Sequence, residues 1–208
     1  MRQSIPPLHV VTDDQGVARD EFLDAARRIV ETGGADVALH LRAPHAPGRR
    51  MYELASVLRP MAADAGALLI VNDRVDVAMA VGADGAQIGG RGLEAADARR
   101  LIGPDRLLGV SVHSVDEARA ARDGGADYVL AGTIWETPSH PERRGAGVGL
   151  IREVAALGIP TIAIGGVTPA RAAEARKAGA AGVAILRGVW DAADPTPAVR
   201  EYLKHWKG

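Results

Sequence analysis

Short apolar runs rich in Val, Ile, Leu and Ala alternate with longer charged stretches along the chain, and the alternation occurs eight times. The runs lie at 8–12, 36–41, 68–71, 85–88, 107–111, 128–131, 161–164 and 182–185. Their length and β-branched content are those of strands covered on both faces. Between them, amphipathic segments at 19–32, 50–65, 75–81, 95–102, 115–123, 148–156, 169–178 and 196–206 carry helical spacing. Strands alternating with helices predict parallel βαβ units.

The punctuation agrees. Gly-Ala pairs precede strands at Gly34-Ala35, Gly66-Ala67, Gly82-Ala83, Gly125-Ala126 and Gly179-Ala180. A glycine there closes the preceding helix in a left-handed conformation and turns the chain back to the sheet. Ser114, with Glu117 three residues on, predicts a helix start with a capping box, and Thr168-Pro169 predicts an N-cap followed by proline in the first turn.

Eight units in 208 residues predict one domain spanning 1–208, a compact (β/α)8 (TIM) barrel, somewhat below the ~250 residues typical of that fold. An open doubly wound sheet is the alternative. Its Gly-x-Gly-x-x-Gly nucleotide loop is missing after the first strand, where Thr12-Asp13-Asp14-Gln15 stands instead. No low-complexity stretch or charge block marks a second domain.

Composition narrows the function classes. A formal net charge of −1, from 25 basic and 26 acidic residues, supplies no general field for nucleic acid or anionic membrane. With no cysteine, disulfides, thiolate nucleophiles and zinc-thiolate sites are excluded. The first residues lack the apolar core of a signal peptide and no run is long enough to span a bilayer, so a cytoplasmic protein is expected.

In a barrel, chemistry gathers at the carboxyl ends of the strands. Those positions hold Thr12, Arg42, Asn72, Asp73, Gln87, Ser111, His113, Thr133, the loop through Thr137 and Ser139, Gly165-Gly166 and Arg187-Gly188. The Gly165-Gly166 pair follows the seventh strand and Gly188 the eighth, where barrels often bind phosphate through backbone N–H groups. A tight turn without ligand is the plainer reading. Asn72-Asp73 offers either an oxygen ligand for magnesium or a helix cap. Arg42 offers an anion contact or an ion pair with Asp73. His40, Gln87 and Thr133 need be no more than hydrogen-bonded lining. His113, at the end of the fifth strand, is a proton-transfer group or a residue packed against the strand end.

The segments LHVVTD, LHLR, LLIVNDRVDVAMAVGADG, GVSVHSVDEARAARDGGADYVLAGTIWET and IAIGGVTPARAAEARKAGAAGVAI occur in order between residues 8 and about 190. Together they resemble the thiamine phosphate synthase/TenI family, whose members are (β/α)8 barrels. That resemblance implies one of two activities. Synthases join a hydroxymethylpyrimidine pyrophosphate to a thiazole phosphate using magnesium; TenI-type tautomerases move a proton to aromatise a carboxythiazole phosphate and need no metal.

Pyrophosphate-handling positions separate the two. The synthase pattern Arg-Glu-Lys after the second strand is here Arg42-Ala43-Pro44. The pattern Gly-Gln-x-Asp, whose aspartate binds magnesium, is Gly89-Gly90-Arg91-Gly92, and Thr-x-Thr-Lys is Thr137-Pro138-Ser139-His140. A departing pyrophosphate needs metal and cations for its growing charge, so the expectation is a thiazole tautomerase without metal or cofactor. Magnesium enters only with the alternative, an atypical synthase; a non-catalytic binder of thiazole or thiamine phosphate is the third reading. The tautomerase assignment implies His113 as acid/base and Gly165, Gly166, Gly188 and Arg187 at the substrate phosphate. Arg42, Asn72, Asp73, Ser111, Thr133, Thr137 and Ser139 would line the rest, with Arg42 or Asn72 on the substrate carboxylate. The family also implies a homodimer.

Overall fold

The computed structural model describes residues 4–90, 92–137 and 144–208. Eight parallel strands close into a barrel in sequence order: β1 Leu8–Val11, β2 Val37–Leu41, β3 Leu68–Asn72, β4 Gly85–Ile88, β5 Leu107–Val112, β6 Tyr128–Ala131, β7 Thr161–Ile164 and β8 Gly182–Ile185. The outer layer runs α1 Asp14–Val17, α2 Phe22–Gly33, α3 Gly48–Ala65, α4 Val75–Ala80, α5 Ala95–Ile102, α6 Val115–Asp123, α7 Val148–Ala155, α8 Pro169–Lys177, α9 Arg187–Trp190 and α10 Pro195–Lys207. The expected barrel is therefore observed. Two four-residue helices, α1 and α9, were not anticipated; they are too short for any apolar period to register.

Side chains alternate across each strand and so divide between two apolar layers. The larger layer lies between barrel and helices and includes Val10, Leu39, Leu69, Leu108, Val129 and Val183. The smaller fills the barrel with Ala38, Ile70, Leu107, Tyr128, Leu130, Ile162 and Ala184. Large and small residues interleave there. Gly109 is paired in register with both Gln87 and Tyr128, and a Cβ on it would lie 2.1 Å from Gln87 Oε1 and 2.3 Å from the Tyr128 ring. One tyrosine thus fills space that an aromatic-poor core otherwise leaves to small side chains.

The Gly-Ala punctuation continues into a device at the amino end of the barrel. All five of its glycines have positive φ. In Gly82-Ala83-Asp84 and Gly125-Ala126-Asp127 the next residue is an aspartate that accepts a backbone N–H from the preceding strand. Asp84 Oδ2 takes Leu69 N–H at 2.9 Å, and Asp127 Oδ2 takes Leu108 N–H at 2.9 Å. An arginine from the helix outside completes each, Arg59 to Asp84 at 3.3 Å and Arg99 to Asp127 at 2.5 Å. Arg99 also donates to the carbonyls of Gly103, Arg106 and Gly125. These ion pairs tie strand starts to helices at the end opposite the loops that follow the strands. No helix among the described residues is long and apolar enough to cross a membrane.

Candidate active site

The loops following the strands surround a cavity of about 1320 Å³. His113, Ser111, Asn72, Asp73, Arg42 and Thr133 all line it. So do Thr137, Gly165, Gly166, Arg187 and Gly188. Ser139 lies outside the described residues, as do Arg91 and His140. Residues spread from position 42 to 188 thus meet at one mouth.

His113 continues the inward parity of Leu107, Gly109 and Ser111 just past the end of β5. Its ring is exposed at the cavity wall, and Nδ1 donates to the Gly132 carbonyl at the exit of β6. A carbonyl only accepts, so Nδ1 carries the proton and, in the neutral ring, Nε2 carries the lone pair. The expected cap is present: Ser114 Oγ accepts from Glu117 N–H at 3.2 Å. Its reciprocal half is shifted by one residue, because the Glu117 carboxylate accepts the N–H of His113, at 2.7 Å, instead of the cap's own. Capping accounts for Ser114 and Glu117, while the imidazole of His113 ties the exits of β5 and β6 through Nδ1 and lines the cavity.

Across the mouth, β3 exits through Asn72 and Asp73. Neither caps the next helix: the N-cap of α4 is Arg74, with no side-chain bond. The Asn72 amide contacts His40 Nδ1 at 3.0 Å, and Asp73 takes a left-handed φ of 61° while its N–H donates to Gln87 O at 2.8 Å. An Asp tolerates that conformation better than most side chains. Of the two alternatives for Arg42, the ion pair with Asp73 is not formed among the described residues. Arg42 instead exchanges two 2.8 Å hydrogen bonds with Thr12 Oγ1 through its backbone; the residue lines the mouth, and its charge acts on Asp14.

Gly165 and Gly166 are required by close approach. Both have positive φ, 96° and 65°; a Cβ on Gly165 would meet Thr133 Cγ2 at 2.5 Å, and one on Gly166 would meet the Glu136 carbonyl at 2.6 Å. The loop after β7 is thereby pressed onto the loop after β6. Gly188 has a similar reason, since Tyr202 Oη lies 2.4 Å from where its Cβ would be, while that hydroxyl donates to Val167 O at 3.0 Å. The glycines therefore serve packing and line the cavity at once.

Two mouth features escaped the sequence reading. His45 is held by Asp14, Nδ1 to Oδ2 at 2.8 Å and N–H to Oδ1 at 3.0 Å. What burial Asp14 has pushes its carboxyl up, but the His45 bonds and nearby Arg42 outweigh this and hold it below the usual carboxylate range. Arg171 donates to Gly166 O at 2.7 Å with its guanidinium 5.4 Å over the Trp135 ring, clamping the glycine loop. The proline-flanked His45 and the arginine three residues after the Thr168 cap were the available signals; their partners lie on other loops.

Beneath the mouth, His40 does not line the cavity but is fully buried, joined to His9 (Nδ1 to His40 Nε2, 2.8 Å), which reaches the Pro6 carbonyl through Nε2 at 3.0 Å. Burial pushes His40 down to about 4 and holds His9 well below its ordinary value, with His40 adding to the effect on His9.

Residues 8–189 match the family model described as thiamine monophosphate synthase. The chain belongs to the thiamine monophosphate synthase family. A thiamine-phosphate synthase from a Roseiflexus species is 42% identical over 196 residues, covering 93% of this chain and 82% of that protein. One from Moorella thermoacetica is 46% identical over 171 residues, covering 81% and 80%. The solved thiamine phosphate pyrophosphorylase of Pyrococcus furiosus superimposes with a TM-score of 0.83 at 35% identity, over 96% of this chain and 95% of that one. Family membership places the chain in thiamine biosynthesis.

Within the family, this mouth departs from the synthase pattern. The only lysines in the chain are Lys177, Lys204 and Lys207, all in the last two long helices and none on the cavity wall. The described residues contain no group of three or more His, Asp or Glu able to hold a metal. At the position of the synthase pattern's second aspartate stands Gly92, which makes a tight turn, its N–H donating to Gly89 O at 2.8 Å. This donor set does not fit a magnesium ion held by two aspartates.

Proposed function

We infer that this family member is a thiazole tautomerase, moving one proton to aromatise a carboxythiazole phosphate. The observation that carries the reading is the imidazole of His113, set at the cavity wall with Nδ1 fixed by Gly132, in a mouth without lysines and, among the described residues, without a cluster of three or more metal-ligating groups. Proton transfer needs a group that gains and loses a proton near neutrality, and nothing that neutralises a leaving pyrophosphate. His113 Nε2 takes the proton and returns it. Backbone groups of Gly165, Gly166 and Gly188, with Arg187, hold the phosphate; Ser111, Thr133 and Thr137 bound the ring; Arg42 meets the carboxylate. Neither metal nor cofactor takes part.

The relatives' names favour the second reading, a thiamine-phosphate synthase, which is a transferase. Identities of 42% and 46% with proteins of that name weigh more for coupling than for isomerisation. The missing lysines weigh against it, because the leaving group would develop its charge without the lysine contacts of the synthase pattern, facing Arg42, Arg74, Arg171 and Arg187 instead. Purified protein given hydroxymethylpyrimidine pyrophosphate, thiazole phosphate and magnesium separates the two: the tautomerase reading expects no thiamine phosphate, and steady turnover overturns it. The homodimer that the family implies is part of the proposal, and light scattering on the purified chain tests it.

A further inference from the structure

The buried chain from Pro6 to Asn72 is one proton short. Three contacts run in series: Pro6 O to His9 Nε2 at 3.0 Å, His9 Nδ1 to His40 Nε2 at 2.8 Å, and His40 Nδ1 to the Asn72 side-chain atom placed as Oδ1 at 3.0 Å. Each needs one hydrogen. The Pro6 carbonyl can only accept, so His9 carries its proton on Nε2. A neutral ring has one N–H, which leaves His9 Nδ1 as a lone pair and puts the shared hydrogen on His40 Nε2. His40 Nδ1 is then a lone pair as well. An amide oxygen there would set two lone pairs face to face; only the amide nitrogen completes the chain.

A third ring proton would also complete it, by making one ring an imidazolium. Both rings are buried, and neither is bonded to a carboxylate in this chain. Burying an uncompensated charge costs several kcal/mol, on the order of what breaks a buried ion pair. Exchanging the amide oxygen and nitrogen of an asparagine moves no heavy-atom position and is decided by such hydrogen-bond counting.

We propose that Asn72 turns its amide nitrogen inward to His40 and its carbonyl oxygen outward to the mouth cavity, making it a specificity residue that selects an N–H or O–H on the bound ligand. The outward atom has no hydrogen-bond partner among the described residues, and Asn72 lines the cavity. A carboxylate or phosphate oxygen placed there meets a lone pair and is disfavoured. Of the two candidates for the substrate carboxylate, Arg42 takes it and Asn72 does not; this consequence rests on the tautomerase reading, whereas the amide orientation does not.

The test is a long-range proton–nitrogen NMR spectrum of the ligand-free protein with 15N-labelled histidine near neutral pH. The two buried rings are recognised by N–H signals that exchange slowly and do not titrate. The proposal expects both to be neutral with the proton on Nε2. A buried imidazolium, or a proton on Nδ1 of His40, overturns it. In Asn72→Asp the ionised side chain offers only acceptors, so a new Nδ1–H signal of His40 that the wild type lacks supports the proposal; a wild-type spectrum that already carries this signal overturns it. If that variant does not fold, the wild-type spectrum alone decides. Because these signals come from the protein without substrate, their failure is distinct from a failure of the isomerisation assay.

Discussion

Burial sets the charge of His40 and thereby couples folding to pH. In the unfolded chain a histidine titrates near 6.5, whereas in the fold His40 is pushed down to about 4 and His9 also lies well below its ordinary value. Above about pH 6.5 neither state binds the proton and stability is whole. Between that pH and about 4 the unfolded chain protonates while the folded one does not, so stability falls as pH falls. For His40 alone the loss approaches ~3 kcal/mol once the pH is below both values. Urea midpoints should therefore drop steeply on acidification through this window, and His40→Gln should flatten the drop; equal slopes would show that the buried pair is not its source. At the mouth, His113→Asn keeps a donor for Gly132 but no base. It should lower isomerisation by about 100-fold or more while phosphate-ester binding persists, as measured by turnover and titration. His113 was legible because a histidine ending an apolar strand stands out in sequence. The His9–His40–Asn72 chain was not, because its members lie 31 and 32 residues apart and meet only when β1, β2 and β3 pair in register.

At the scale of elements, turn chemistry was readable as punctuation but not as connectivity. Gly125 announces a turn by itself; the role of Asp127 appears only when its carboxylate meets the Leu108 N–H and Arg99. Asp127→Ala removes both and should cost about 2–3 kcal/mol in urea unfolding. Its effect on turnover of the folded fraction should be small, because the pair sits at the far end of the barrel from the mouth. The glycine loop should behave differently. Gly166→Ala forces a Cβ within 2.8 Å of two backbone carbonyls at a φ of 65°, a cost of at least ~1 kcal/mol. It should also move the loop that lines the cavity, so unfolding and phosphate-ester affinity should decline together; loss of stability with affinity intact would confine Gly166 to packing. The sequence pattern placed this loop correctly but could not reveal that Thr133, Trp135 and Glu136 press on it, since that contact joins the exits of β6 and β7.

For the whole molecule, eight alternations of strand and helix were enough to foresee a closed barrel, and closure then carried the mouth with it. Arg42, Asn72, His113, Gly165 and Arg187 are scattered in the chain yet line one cavity because all follow strand ends. What sequence could not supply was the direction of each side chain: Arg42 leaves Asp73, Asn72 turns to His40, and Asp14 takes His45. The same family architecture accommodates coupling or proton transfer, and the choice falls to a few charges at the mouth. The most direct measurement follows the non-aromatic carboxythiazole phosphate by proton NMR, with and without purified protein, in the absence of magnesium. The account predicts that protein accelerates appearance of the aromatic thiazole well beyond the buffer rate. An unchanged rate would contradict it.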